Sequence, residues 1–260
     1  LEANAGKSFV GSYVLGMGFT FDDTDTKGVA NSLAEMERLI AEDPRNRERI
    51  YPYIGGEEIN TDPEHRHHRY VINFEDFPLG RREMRPLWND STEKQQKDYL
   101  SSSLVPLDYP GAVAEDWPEL IKIARTRVKP ERDKLGDNTD ARRRRERWWL
   151  WGRYTPALYG AMRGLPQVMA ISLHGQCAAF ARIPSEIVPS HGMAIFTLPT
   201  YADFTALQSQ PHDAWMRFLG SSIKDDLRYT PEDCFETFPF PMGFETHPAL
   251  EDAGEAYYTN

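Results

Sequence analysis

The residues with the most evident chemistry are the cations between Lys122 and Arg153. This stretch holds twelve Lys and Arg against five Asp and Glu, whereas the rest of the 260-residue chain holds eighteen basic and thirty-five acidic residues. The local balance is therefore +7 within a chain of net charge −10. Like charges on neighbouring helical turns repel one another, so the clustering has a cost and indicates a polyanionic partner. A solvated arginine-rich helix face, balanced by acidic residues elsewhere in the fold, is the alternative.

The cationic stretch ends in three tryptophans, Trp148, Trp149 and Trp151. Aromatic rings beside arginines suit nucleic acid, because rings stack on bases and guanidinium groups add cation–π contacts. Tryptophans grouped this closely more often fill a protein core. We therefore expect the tryptophans to be buried and the neighbouring arginines to point outward.

Two other groups of residues have weaker signals. Paired carboxylates such as Glu57 and Glu58 can act as acid and base or as metal ligands. Adjacent residues on a strand point to opposite faces, however, so a cap at the start of the next element is the better interpretation. A metal site at His65, His67 and His68 would need further ligands in a fixed geometry, and we expect a basic surface loop without metal.

The segment Gly16-Met17-Gly18 superficially resembles a nucleotide-binding loop. A dinucleotide loop needs a third glycine three residues later, at the start of a helix, and here the chain continues as Phe19-Thr20-Phe21. A bulge or a close backbone approach explains these glycines better.

Catalytic motifs are missing from the sequence. It contains no P-loop, no GxSxG elbow and no HExxH. The Asn/Asp-Pro-Pro-aromatic tetrapeptide of DNA amino-methyltransferases is also missing, since the chain has no Pro-Pro pair. The (D/E)xK pattern of nucleases occurs only at Asp25-Thr26-Lys27, within a predicted turn. We therefore expect recognition rather than catalysis, with no catalytic residues, no metal and no cofactor in this chain.

Composition sets the broad class of protein. The chain is 40% hydrophobic and 27% charged, which is typical of a soluble globular protein, and it has no uninterrupted apolar run long enough to cross a membrane. Cys177 and Cys234 lie far apart without a CxxC pattern, which indicates a reducing, intracellular environment. The chain starts at Leu1 and enters a strand-like segment at once, so we expect a piece of a longer polypeptide.

The hydrophobic pattern predicts short strands alternating with helices. Strands are predicted within residues 8–21 and at 70–74, 167–174, 178–183 and 193–198, and helices within 22–43 and at 117–128, 156–163 and from 200 onward. Pro130 is expected to end the helix predicted at 117–128 near Lys129. The fold class is therefore α+β, with a mixed or antiparallel sheet flanked by helices. We expect two domains, residues 1–198 and a small, mainly helical region at 199–260 that ends in a loose, extended tail from residue 246.

Eight motifs, spread over nearly the whole length, resemble one family of proteins. They are GSYVLGMGF at 11–19, YIGGEE at 53–58, HHRYVINF at 67–74, VKPERDK at 128–134, WW at 148–149, LQS at 207–209, GSSIKDDLRYTP at 220–231 and FETFPFP at 235–241. In these motifs the chain resembles the C-terminal part of MmeI-like restriction-modification DNA methyltransferases, in which one polypeptide combines adenine-N6 methylation with target recognition and often a nuclease.

The resemblance implies that this chain is the target recognition region, with a small helical C-terminal part. Its partners would be double-stranded DNA and an upstream methyltransferase domain of the same polypeptide. S-adenosylmethionine would bind in that upstream domain of the parent chain, and this chain would itself hold no cofactor. It also implies a bacterial or archaeal protein of the cytoplasm that serves in defence against phage.

The resemblance also points to residues that read bases. In the family they lie around the strand that matches residues 168–176 and in the loop after the VKPERDK motif; the family's Ser-Arg-Val-Ser-Lys is here Ser-Leu-His-Gly-Gln at 172–176. The chemistry of base edges assigns adenine to Gln176 or Asn138, guanine to His174 or an arginine, cytosine to Asp137 or Asp140, and a thymine methyl group to Leu173. The phosphate contacts would come from Lys129, Arg132, Lys134, Arg142, Arg143, Arg144, Arg145 and Arg147.

An assembly role is the alternative to DNA recognition. In that case the arginines would dock onto an acidic domain of the parent chain without reading bases. A stand-alone enzyme is disfavoured because its catalytic motifs are missing.

Overall fold

The computed structural model describes residues 4–175, 178–223 and 226–259, which form the α+β fold predicted from the sequence. The helices are α1 (Leu33–Glu42), α2 (Gly56–Thr61), α3 (Glu93–Ser102), α4 (Pro118–Ile123), α5 (Lys129–Asp133), α6 (Thr139–Glu146), α7 (Pro156–Met162), α8 (Tyr201–Leu207), α9 (Gln210–Leu219), α10 (Pro231–Cys234) and α11 (Pro248–Thr259). The strands are β1 (Ser8–Val10), β2 (Thr20–Phe21), β3 (Ile50–Ile54), β4 (Arg69–Ile72), β5 (Gly80–Arg82), β6 (Leu104–Pro106), β7 (Gln167–Ser172), β8 (His174–Gly175), β9 (Ala181–Pro184), β10 (Val188–Pro189), β11 (Met193–Phe196), β12 (Ser221–Ile223) and β13 (Asp226–Arg228).

The chain divides into two compact units, each assembled from separate parts of the sequence. The first unit comprises Leu1–Ser12, Pro52–His68 and Thr155–Asn260, and the second comprises Tyr13–Tyr51 and Arg69–Tyr154. These boundaries do not coincide with the expected division at residue 198. Residue 198 is not a boundary because residues of α8, α9 and α10 share one hydrophobic cluster with residues of β7 and β11. The composition along the chain does not show this packing.

The first unit is built on an antiparallel sheet of order β1-β11-β7-β9. Successive side chains of a strand point to opposite faces, so β7 contributes to two hydrophobic clusters. Met169 and Ile171 belong to a cluster that includes residues of α8, α9 and α10, whereas Val168 and Ala170 belong to a cluster with residues of α2 and α7. The all-apolar sequence of β7 thus reflects a strand that is covered on both faces.

The C-terminal residues of the first unit form a packed helix, so the prediction of a loose tail from residue 246 was wrong. Helix α11 approaches α8 so closely that a Cβ atom at Gly254 would lie 2.3 Å from the carbonyl oxygen of Tyr201. The hydroxyl of Thr205 donates to the carbonyl of Leu250 at 2.8 Å. Helix α11 is thus held by backbone contact, which its weakly amphipathic sequence does not reveal.

A buried histidine lies between α9 and the segment that follows it. His212 is fully buried, and its Nδ1 donates to the carbonyl of Leu207 at 2.7 Å. Its ring lies 4.7 Å from that of Phe238 and 6.1 Å from that of Tyr229. Burial lowers the pKa of His212 below its ordinary value of 6.5, because an apolar surrounding disfavours the charged ring.

The second unit consists of short strand pairs, β2 with β4 and β5 with β6, and of helices α1 and α3 to α6. Helix α4 continues through a π-helical turn, Ala124–Val128, into α5, where the backbone N–H of Lys129 donates to the carbonyl of Ala124. The expected helix end at Lys129-Pro130 was therefore wrong. Pro130 is accommodated in the first turn of α5, where its missing N–H is not needed.

Within the part of the chain that the structure describes, no helix is both long and apolar enough to cross a membrane.

Candidate nucleic-acid interface

The tryptophans of the cationic stretch are core residues, as the sequence predicts. Trp148, Trp149 and Trp151 are all buried in the second unit. The indole N–H of Trp149 donates to the carbonyl of Phe77 at 3.0 Å, and that of Trp151 donates to the carbonyl of Ile72 at 2.8 Å. These rings fix the end of the cationic stretch to the unit and are not available for base stacking.

Arg132 is also a core residue, which argues against the phosphate contact expected of it. Its exposed fraction is 3%. Its guanidinium donates to the carbonyl oxygen of Leu150 at 2.5 Å and to those of Val14 and Leu15 at 3.5 and 3.4 Å, and it lies 5.3 Å from the ring centre of Phe19. Burial lowers its pKa to about 10. Arg132 thus links the segment 14–19 to the segment 147–150 through its hydrogen bonds and its contact with Phe19.

Helix α6 carries the arginine cluster and begins at a side-chain cap. The Oδ1 atom of Asn138 accepts from the backbone N–H of Ala141 at 2.8 Å. Bidentate recognition of adenine by an asparagine uses both Oδ1 and Nδ2. The cap already uses one of the two lone pairs of Oδ1, so base reading by Asn138 would have to fit around a hydrogen bond that contributes about 1 kcal/mol.

Several cations of this region are neutralised by acids nearby in the sequence. Arg144 pairs with Asp140 at 2.7 Å, and Arg145 pairs with Asp137 at 2.6 Å while also donating to the carbonyl of Gly136 at 2.7 Å. On the neighbouring helix, the same holds for Lys129 with Asp133 at 2.7 Å and for Lys134 with Glu131 at 2.9 Å. The carboxylates expected to read cytosine are thus occupied, as are four of the cations expected to hold phosphates.

Three arginines of the cluster make no ion pair with any residue that the structure describes. We call Arg142, Arg143 and Arg147 the unpaired arginines. Arg142 and Arg143 are exposed, and the guanidinium of Arg142 donates only to the carbonyl of Asp137 at 3.3 Å. Arg147, half-buried, donates to the carbonyl of Ser101 at 3.2 Å. They are the cations of α6 and its C-terminal end that remain suited to an external anion.

The carboxyl group of Asp76 lies within electrostatic reach of two of the unpaired arginines. Burial raises the pKa of the half-buried Asp76 carboxyl, and the charges of Arg143 and Arg147 oppose that rise. An anion approaching this side of α6 would meet the same two guanidinium groups.

The other residues expected to read bases belong to the first unit. His174 is exposed on β8, whereas Leu173 is partly buried and packs against the hydrophobic cluster of β7, so little of it can meet a thymine methyl group. Gln176 lies outside the described residues.

A further candidate in the first unit, Arg228, was not among the residues singled out from the sequence. It lies opposite His174 in the antiparallel pairing of β13 with β8, and directly opposed residues share one face of a sheet. Arg228 is exposed and makes no ion pair within the described residues. The sequence placed Arg228 in the GSSIKDDLRYTP motif, but it did not show that β13 pairs with β8. An exposed histidine and an exposed arginine therefore stand side by side.

The remaining candidate groups have structural roles. Glu58 caps α2, because its Oε2 accepts from the backbone N–H of Gly55 at 2.9 Å. His68 lies 3.7 Å from the other oxygen of Glu58. In the described ranges, no three or more His, Cys, Asp or Glu side chains are arranged to hold a metal ion.

The comparisons with known proteins bear on the fold. No protein-family model matches the chain, and no curated protein matches it in sequence. Among solved structures, one match covers 97% of the chain with a TM-score of 0.59 at 14% sequence identity; it is the type IIL restriction-modification enzyme MmeI in complex with DNA. The chain shares its fold with part of MmeI. It spans 27% of the length of that MmeI chain.

Proposed function

We propose that this chain is the target recognition module of a type II restriction-modification adenine-N6 DNA methyltransferase of a bacterial or archaeal cytoplasm. The observation that supports the proposal most is the likeness in fold, over 97% of the chain, to part of an enzyme solved with DNA. The cationic surface of α6 in an otherwise acidic chain supports it independently, because it suits a phosphate backbone.

In this proposal the chain binds and orients duplex DNA. The unpaired arginines hold phosphates, which gives affinity without sequence information. His174 and Arg228 of the first unit donate to base edges, since both side chains can donate to the acceptors of guanine. A catalytic domain elsewhere in the parent polypeptide would flip and methylate the adenine.

S-adenosylmethionine supplies the methyl group in that reaction and would bind in the catalytic domain. The glycine segment of this chain does not fit such a cofactor, because Gly18 is used for packing. A Cβ atom at Gly18 would lie 2.8 Å from the Cβ of Arg127 and 2.9 Å from its carbonyl carbon. Accordingly, no catalytic step is assigned to the residues of this chain.

Binding of duplex DNA tests the proposal directly. A library of fluorescent duplexes with a randomised core is titrated with the chain at several salt concentrations, and bound duplexes are recovered and sequenced. We expect affinity that falls steeply with salt and enrichment of one sequence motif. Affinity that is indifferent to salt, or recovered duplexes without a shared motif, would contradict target recognition.

The assembly role remains the second candidate, because four cations of the basic region are neutralised within the chain. Under that function the chain would bind no duplex but would associate with the separately expressed upstream part of the parent polypeptide. Analytical ultracentrifugation of the two parts, with and without duplex, distinguishes the two functions.

A further inference from the structure

A turn of the second unit, residues 14–19, presents two apolar side chains to solvent. Leu15 and Met17 are each 40% exposed. Leu15 has a φ of +48°, in the left-handed region that non-glycine residues rarely adopt. Such strain persists only where the surrounding structure enforces it, and it concentrates at functional sites.

The turn is held on several sides. The buried guanidinium of Arg132 donates to the carbonyls of Val14 and Leu15. The hydroxyl of Thr20 donates to the carbonyl of Met17 at 2.6 Å. The backbone N–H of Gly152 donates to the carbonyl of Val14 at 3.3 Å. The two exposed side chains therefore stand on a rigid base.

Close backbone approach fixes the direction of Leu15. A Cβ atom at Gly152 would lie 2.5 Å from the Cδ1 and 3.0 Å from the Cγ of Leu15, so a larger residue at position 152 would displace this side chain. One side of Leu15 rests on the end of the tryptophan segment and the other side faces solvent. The surrounding structure therefore fixes the orientation of Leu15. A flexible surface leucine would require neither a glycine at position 152 nor a left-handed backbone.

Exposed arginines flank the turn at both ends. Arg153 exchanges two backbone hydrogen bonds with Tyr13, at 3.0 and 3.2 Å, and its side chain is exposed. Arg127 packs against Gly18 through its Cβ and is exposed as well. Two apolar side chains between cations suit a partner with an anionic outside and an apolar inside. Duplex DNA has that character, with phosphates outside and stacked bases within.

We propose that Leu15 and Met17 form a wedge that enters between two base pairs of bound duplex DNA and unstacks them. This inference rests on the proposed function and extends it from phosphate contact to deformation of the DNA. Leucine and methionine are among the side chains that proteins insert between base steps. A rigid turn suits this task because little side-chain and backbone freedom is lost on insertion.

Permanganate footprinting tests the wedge, because the reagent oxidises thymines that have lost stacking. The probe is a set of duplexes recovered by the chain from the randomised library, with thymine placed at each step in turn. The variants are L15A/M17A and L15N. Asparagine is chosen at position 15 because it tolerates the left-handed backbone conformation better than other non-glycine residues. The matched control is L100A, since Leu100 is an equally exposed leucine of the same unit, at 40%.

We expect wild type and L100A to show one hyper-reactive step. L15A/M17A and L15N should lower that reactivity by about fivefold or more while duplex binding, measured by anisotropy, persists. Hyper-reactivity retained in both variants, or absent from wild type that binds DNA, overturns the wedge and leaves DNA recognition intact. A wild-type chain that binds no duplex overturns both proposals.

Discussion

Replacing basic residues by alanine should distinguish the cations that can contact phosphates from those that already pair with carboxylates. R142A/R143A removes two exposed arginines that make no ion pair with the described residues, and K129A/K134A removes two lysines that lie 2.7 and 2.9 Å from carboxylates. Both variants change the net charge equally. Any difference between them therefore reports local phosphate contact and not the overall field of the protein.

The expected magnitude follows from counterion release. Each phosphate contact contributes about 0.9 to the slope of log affinity against log salt, so R142A/R143A should lower the slope by about 1.8. Over a fourfold rise in salt, the affinity gap between wild type and variant should then narrow by about tenfold. K129A/K134A should lower the slope by less than about half of the change in R142A/R143A, because Lys129 and Lys134 already have carboxylate partners.

Fluorescence anisotropy of a labelled duplex, titrated at five or so salt concentrations, measures both slopes. Circular dichroism of each variant confirms that α6 is retained. Equal slope changes in the two variants would refute the argument that local ion pairs withdraw cations from DNA. An unchanged slope in R142A/R143A would refute contact through α6.

Three predictions concern stability. R132M should lower the free energy of unfolding by about 2–4 kcal/mol in urea titrations, because it leaves the carbonyls around Leu150 without donors; a loss below about 1 kcal/mol would contradict the structural role. His212 has a folded pKa below its unfolded value, so the unfolded chain takes up the proton first and stability falls as pH drops below about 6.5. H212Q should flatten that fall, and an unchanged pH profile would show that other groups, such as His65 and His67, cause it. G254A should lower stability by about 1–3 kcal/mol through its clash with Tyr201, whereas G160A, with open space around it, serves as the control.

Elements with a local signal could be predicted from the sequence. The periodicity of α1 placed its apolar residues, and Met36 and Leu39 are buried as that periodicity requires. The close grouping of Trp148, Trp149 and Trp151 predicted a core position, because exposing three large apolar rings to water is unfavourable. All three are buried. The i,i+4 spacing of Asp140 and Arg144 also permits the ion pair that forms, although the sequence analysis assigned these residues to a base and a phosphate.

Features that depend on distant segments could not be predicted. Nothing near Arg132 marks it as buried, since its acceptors are carbonyls from residues 14–15 and 147–150. The order of α11 depends on Tyr201 and Thr205, some fifty residues earlier, and so its sequence looked like a tail. Arg228 meets His174 only through the pairing of β13 with β8. The base-reading assignments stay predictions.

The discontinuous build of the first unit sets the order in which the chain folds during translation. Strand β1 waits unpaired until β11 is synthesised, and the side chain of Asn4 donates to the carbonyls of Phe235 and Phe238, which emerge from the ribosome later still. All residues of the second unit have been synthesised once the ribosome reaches Tyr154, so this unit can fold before the first one. The arginine helix α6 can therefore form on this unit while β1 still has an unpaired strand edge.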